Sequence, residues 1–122
     1  MLLDTHFVIW VAQRSRRLEQ FPWMPRYRPW IISPITLLEI QFLGEIGRIE
    51  VEDAFFAMLR EDARFVLDEP GFDALIRAAL PLSWTRDPFD RLLAAHSLVR
   101  RMPLCTLDRT LRKHHALLPA EL

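Results

Sequence analysis

Cysteine is nearly missing from this chain of 122 residues. Cys105 stands alone, so neither a disulfide framework nor a thiolate metal site can be assembled. Net charge is missing too: the formal value at pH 7 is zero, and no global basicity announces a nucleic-acid binder. No apolar run approaches the ~18–20 residues of a membrane-spanning helix. The opening MLLDTHFVIW lacks a basic leader and a small-residue cleavage site, which argues against a secretory signal. A cytoplasmic protein without membrane contact is expected. Internal repeats, low-complexity stretches and an obvious serine or cysteine triad are also absent. The remainder is ordinary for a globular protein, 51% hydrophobic and 26% charged, and the length suits one domain over residues 1–122.

Charge is distributed unevenly. Arg14, Arg16, Arg17, Arg26 and Arg28 make the early chain basic, and Arg100, Arg101, Arg109, Arg112 and Lys113 do the same near the end. The middle, from Glu39 to Asp73, is acidic. Lys113 is the one lysine among 16 basic residues. Arginine is the residue best suited to bidentate phosphate contact, although genome composition can produce the same bias.

Short apolar runs alternate with helical patterns. Leu2 and Leu3 suggest a strand that runs into Asp4, followed by a helix over THFVIWVAQ with Phe7, Trp10 and Val11 on one face. FPWMPRYRPW (21–30) reads as a loop packed on the body. WIIS (30–33) is a second strand, and Ser33 before Pro34 marks a helix start by cap and N1 preference. That helix is predicted to end near Gly44 or Gly47. VEDAFFAMLRED reads as a helix, RFVLD (64–68) as a strand, and PGFDALIRAALP as a helix closed by Pro81. In RDPFD, Asp87 before Pro88 matches N-cap and N1, so a helix runs from there to about Arg101. MPLCTLD (102–108) is a fourth strand, DRTLRKHH a short helix, and ALLPA a last edge strand. The pattern predicts an α/β fold with a central, mostly parallel sheet of four to five short strands, flanked by helices on both faces. Ligands in such folds sit outside the carboxyl ends of the strands.

Four acidic residues point to that edge. Asp4 follows the first strand and Asp108 the fourth; Glu39 lies early in the helix after the second strand, and Asp90 in the first turn of the helix before the fourth. Converging carboxylates resist ionising. A hard divalent cation, Mg²⁺ or alternatively Mn²⁺, relieves the repulsion and suits oxygen ligands and phosphate substrates. Each residue also has a plainer reading: an aspartate at a strand end is commonly a turn or cap residue, and a helical glutamate is commonly solvated. The apolar surroundings of Glu39 in PITLLEIQFL favour a partner for its charge. Helix geometry gives Asp87 the capping task and Asp90 the metal. His6 reads as a helix-start residue, and His96 as a packing or interface residue beside Leu92 and Leu93. His114 and His115 read as solvated tail. The four tryptophans read as core or dimer contacts, with base stacking as the minor role.

LLDTHFVIW, ISPITLLEI, RDPFDRLLAAHSL and PLCTLDRTL together resemble the PIN-domain family, specifically the VapC-type toxin ribonucleases of toxin–antitoxin pairs. The resemblance spans essentially the whole chain, with RDPFDRLLAAH its most specific part. Carried over position by position, it makes Asp4, Glu39, Asp90 and Asp108 the acidic metal ligands, and Thr106 the hydroxyl residue beside them. It implies a Mg²⁺- or Mn²⁺-dependent endoribonuclease that cuts single-stranded RNA and forms a homodimer. A small cognate antitoxin would neutralise it and link it to operator DNA only indirectly. Two features depart from the family pattern: the proline- and aromatic-rich segment after Trp10 lacks the usual second helix, and the C-terminus is short. The competing expectations are a nuclease of the same fold acting on structured DNA, and a non-catalytic interaction module. A phosphoacceptor receiver domain would need an acidic pair near the first strand, where only Asp4 stands.

Overall fold

The computed structural model describes residues 1–122. Four strands, β1 (Leu2–Leu3), β2 (Trp30–Ile32), β3 (Phe65–Leu67) and β4 (Leu104–Cys105), form one sheet in the order β3-β2-β1-β4. All pairs are parallel, with Leu2 beside Ile31 and Leu104, and Ile32 beside Leu67. Six helices join or follow them: α1 (Thr5–Ala12), α2 (Pro34–Glu45), α3 (Phe55–Glu61), α4 (Phe72–Ala79), α5 (Pro88–Arg100) and α6 (Arg109–His114). The expected α/β architecture is therefore present, with four strands and no antiparallel member.

Strand alternation divides the core in two. Successive side chains of a strand face opposite sides. Leu3 and Cys105 accordingly join one cluster with Phe7, Val8 and Val11 of α1, Ile40 of α2, and Phe55 and Leu59 of α3. Leu2 and Leu104 join another with Leu93 and Ala94 of α5 and Leu111 of α6. Helices on both faces follow from two-residue strands that are apolar on both sides. Burial raises the Cys105 thiol pKa far above its ordinary value, with the Asp4 charge adding to the effect, so this lone cysteine is inert packing.

Several boundaries differ from expectation for local reasons. The 21–30 segment does pack on the body, through Met24, Phe21 and Trp23, but part of it is a short 3-10 helix at Met24–Tyr27, preceded by another at Arg16–Gln20. Helix α3 starts at Phe55 rather than Val51, with Ala54 at the cap position and no side-chain cap bond. Helix α2, by contrast, ends at Glu45 beside Gly44 as expected, and Gly47 then takes φ +73°, which suits glycine. The anticipated edge strand at ALLPA does not form. One backbone bond, from Leu104 N–H to the Leu117 carbonyl (2.9 Å), is all that reaches β4 there, and Pro119 supplies no donor to extend it.

Leu3 is fully enclosed. Replacing it by alanine is expected to cost about 2–5 kcal/mol, read as a lower midpoint of denaturant unfolding. The exposed Phe72 (77%) replaced by serine should shift that midpoint by less than about 0.5 kcal/mol.

Candidate active site

The carboxyl edge of the sheet is built from helix starts. Asp4 leaves β1 in an extended conformation and caps α1, accepting from the His6 N–H at 3.4 Å. Asp108 leaves the β4 segment in the same way and caps α6, accepting from the Leu111 N–H at 2.8 Å. Capping therefore explains part of each residue's presence. It leaves the second oxygen of Asp4 free for another donor, and Thr106 Oγ1 donates to it at 2.5 Å. The same Thr106 oxygen accepts from the Asp108 N–H at 3.0 Å. One buried hydroxyl thus ties the ends of β1 and β4 together at their acidic residues. Thr106, reached only through family resemblance at the sequence level, is the link between two of the four carboxylates.

Glu39 is half-buried on α2, and Thr5 Oγ1 of α1 donates to its Oε2. Burial raises the pKa of Glu39 above the usual carboxylate range. The Thr5 hydrogen bond opposes that shift, while the charges of Asp4 and Asp87 reinforce it.

Asp87 and Asp90 separate as helix geometry requires. Asp87 is the N-cap of α5 and accepts from the N–H groups of Phe89 (2.8 Å) and Asp90 (3.3 Å). Its own N–H donates to Thr85 Oγ1 at 3.2 Å, and Arg91 holds the Thr85 carbonyl at 2.7 Å. The Asp90 carboxyl does not reach back to cap. It is half-buried, and its pKa is pushed up to about 7. Burial is the largest cause, followed by the charges of Asp87, Asp108, Asp4 and Glu39. Nothing donates to it in compensation. No three acidic, imidazole or thiol groups converge closely enough here to form a ready-made metal site, yet Asp4, Glu39 and Asp108 stand close enough for their charges to act on Asp90. An oxygen-only donor set with excess negative charge and one carboxyl without a donor fits a hard divalent cation. Asp4, Glu39, Asp90 and Asp108 are the residues that could hold it.

His6 sits at the rim, its Nδ1 3.9 Å from Asp4 Oδ1. Attraction to that carboxylate raises the His6 pKa against an opposing contribution from burial. Position 6 is the second helical residue, as its place in DTH suggests.

A second polar cluster escaped sequence reasoning. His96 is fully buried, with Nδ1 2.9 Å from Ser33 Oγ and Nε2 2.8 Å from Asp68 Oδ2. Arg100 holds the same Asp68 through both oxygens, at 2.7 and 2.9 Å. Ser33 was expected to cap α2, but it makes no side-chain cap bond and serves His96 instead. The cluster fastens the ends of β2 and β3 to α5, the helix that carries Asp90. Burial lowers the His96 pKa, so the ring is neutral near pH 7. Although Ser33, His96 and Asp68 are the residue types of a hydrolytic triad, Ser33 has no exposure and cannot meet a substrate. The available signal was that the β3 segment also ends in an aspartate, Asp68. His115 is likewise buried rather than solvated, its Nε2 2.8 Å from Ser97 Oγ. His114 is instead stacked on Trp84, 5.4 Å between centroids.

Comparison with known proteins places the chain in a family. Residues 1–117 match the PIN domain family. Ribonuclease VapC22 of Mycobacterium tuberculosis (strain ATCC 25618 / H37Rv) is 30% identical over 119 residues, covering 93% of this chain and 91% of that protein.

Asp90 generates a signed pH prediction. Its folded pKa of about 7 exceeds the ordinary 3.8, so the folded chain binds the proton more tightly than the unfolded chain. That contribution to stability is complete below pH ~4 and is lost as pH rises through ~7. Water reaches part of the carboxyl, so the effect should be about 1–2 kcal/mol rather than the full conversion of the shift. In metal-free protein, Asp90→Asn should therefore be more stable than the parent at pH 8 and equal to it near pH 4, measured by urea unfolding at both values.

Proposed function

We propose that this chain, which belongs to the PIN-domain family, is a metal-dependent endoribonuclease toxin neutralised by a cognate antitoxin. The observation that carries the reading is Asp90. A half-buried carboxyl without a donor, destabilised by the charges of Asp4, Glu39, Asp87 and Asp108, is costly unless a cation relieves it. Catalysis of phosphodiester hydrolysis gives that cost a purpose. The similarity to a protein named as a ribonuclease supports RNA as the substrate.

In this reading each carboxylate is held by a different device. Thr106 orients Asp4, Thr5 orients Glu39, Asp87 sets the first turn of α5 beneath Asp90, and the α6 cap fixes Asp108. When bound, Mg²⁺ or Mn²⁺ would supply the positive charge that favours ionisation of a water and neutralises the leaving oxygen. Arg86 and Arg109 flank the acidic residues, are exposed and have no carboxylate partner, which suits them to the RNA backbone. Binding should consequently weaken as salt rises.

Protein partners have a surface to use. Leu38 and Phe42 on α2, Ile46 just past its end, and Phe72 on α4 are exposed apolar side chains, and a cleft of about 360 Å³ is lined by both Leu38 and Phe72. Exposed apolar area of this kind serves association, here with a second copy or with the antitoxin. The antitoxin would also place a basic side chain near the acidic edge, where excess negative charge receives it. Operator DNA would be reached only through the antitoxin, and the cytoplasm is where such a pair would act.

The deciding experiment is cleavage of RNA by purified protein with Mg²⁺ or Mn²⁺ and with a chelator. Cleavage is expected only with metal and should fall at least 100-fold in Asp90→Asn. Calorimetry should show Mn²⁺ binding that Asp90→Asn weakens. Undiminished cleavage in chelator, or by Asp90→Asn, would overturn the reading.

A further inference from the structure

Next to the acidic edge lies a cleft of about 280 Å³ lined by Asp4, His6, Phe7, Trp10, Leu107 and Asp108. Its two carboxylates are joined by the His6 imidazole and by three apolar side chains, Phe7, Trp10 and Leu107. Leu107 is 40% exposed although apolar, and it stands between Thr106 and Asp108. It lies outside every buried core cluster, so packing does not account for a leucine at this position. The aromatic part of the wall is packed on neighbouring rings. Phe7 meets the Trp10 ring edge-on at 5.1 Å, and Phe21 lies nearly parallel to it at 6.5 Å. The His6 ring, 64% exposed, approaches Trp10 at 6.5 Å. Beyond Trp10, the Arg17 guanidinium lies 5.3 Å from the indole centroid. It has no carboxylate partner among the ion pairs.

The order across this surface is carboxylates, apolar wall, and a cation without a carboxylate partner. Once a divalent cation offsets the carboxylates, a nucleic-acid strand presents the matching order of phosphate, base, phosphate. We propose that the cleft is the subsite for the nucleobase adjoining the scissile phosphate. The base lies against Trp10 and Leu107 with His6 along its edge, and Arg17 takes the phosphate on its far side. This rests on the ribonuclease reading and deepens it. A base can enter such a cleft only from an unpaired strand, because side chains recognise individual RNA bases mainly where these are unstacked. To the single-stranded substrate that the resemblance already implies, the cleft adds a positional preference beside the cut. Rigid packing of Trp10 means little ordering is needed when the base arrives.

Two measurements test the subsite. In the first, the wild-type protein with Mg²⁺ cleaves a short RNA and copies of it carrying an abasic residue on one or the other side of the scissile bond. Removing the base on one side should lower kcat/KM roughly 10-fold, within the range for a single base contact. Leu107→Ser should cause a similar loss on the intact RNA and little further loss on that abasic copy, because both changes remove one contact. Trp10→Ala should behave alike, but Trp10 also supports the core, so the exposed Leu107 keeps the test sound. In the second, Asp90→Asn protein without metal binds the same RNA with 2-aminopurine at successive positions. Fluorescence should change most at the position adjoining the cut, and Leu107→Ser in that background should remove the difference. Arg17→Gln should reduce the salt dependence of binding by about one phosphate contact. Multiplicative losses, together with equal fluorescence at all positions, overturn the subsite while leaving metal-dependent cleavage intact. Failure to cleave any RNA would instead overturn the ribonuclease reading and the placement beside a scissile phosphate, while a position-specific fluorescence change lost in Leu107→Ser would still show a base-binding cleft.

Discussion

Mutual repulsion among carboxylates is the constraint on which this molecule turns. Asp4, Glu39, Asp90 and Asp108 come from four separate stretches of chain, and three of them press charge on the remaining Asp90. Folding by hydrophobic burial alone would keep them apart. The structure holds them by spending neutral hydrogen-bond donors on the others: Thr5 on Glu39, and Thr106 on Asp4. Asp90 alone is left without a donor, at the start of a helix anchored further along by His96 and Arg100. The electrostatic cost therefore falls on Glu39 and most heavily on Asp90, the one carboxyl of the four without a donor.

Much of this was legible in the chain because the relevant signals are local. Leu2 and Leu3 predict a strand buried on both sides, and their split between two core clusters agrees. Asp87, Pro88 and Asp90 encode cap, first position and third position of a helix, which α5 adopts. Strand ends followed by aspartate marked the acidic edge. What stayed hidden depends on pairing across long sequence distances. Ser33 looks like a cap in sequence and becomes a partner of a histidine 63 positions away. Asp68 ends a strand as Asp4 does, yet Arg100 and His96 claim it. His115 sits among basic residues near the C-terminus and is nonetheless buried beside Ser97. The edge strand at ALLPA failed because apolar composition alone does not guarantee a ladder of backbone bonds.

The comparisons complement this picture without replacing it. Membership of the PIN-domain family fixes the architecture, and similarity to a named ribonuclease supports the substrate. The exposed Leu107 and the Trp10 wall packed on Phe7 are features of this chain's own surface. In the proposed reading they bear on how an RNA strand is read rather than on how it is cut.

Asp4 and Asp108 each hold a helix N-terminus as well as a place in the acidic set. This double duty governs how loss-of-function variants are to be interpreted. An alanine at either position removes a negative charge and a cap together, and the lost cap alone weakens the helix by about 1 kcal/mol. A silent alanine variant is then ambiguous between a disarmed protein and a poorly folded one. Asparagine keeps the capping oxygen while discarding the charge, so at these two positions it isolates chemistry from architecture.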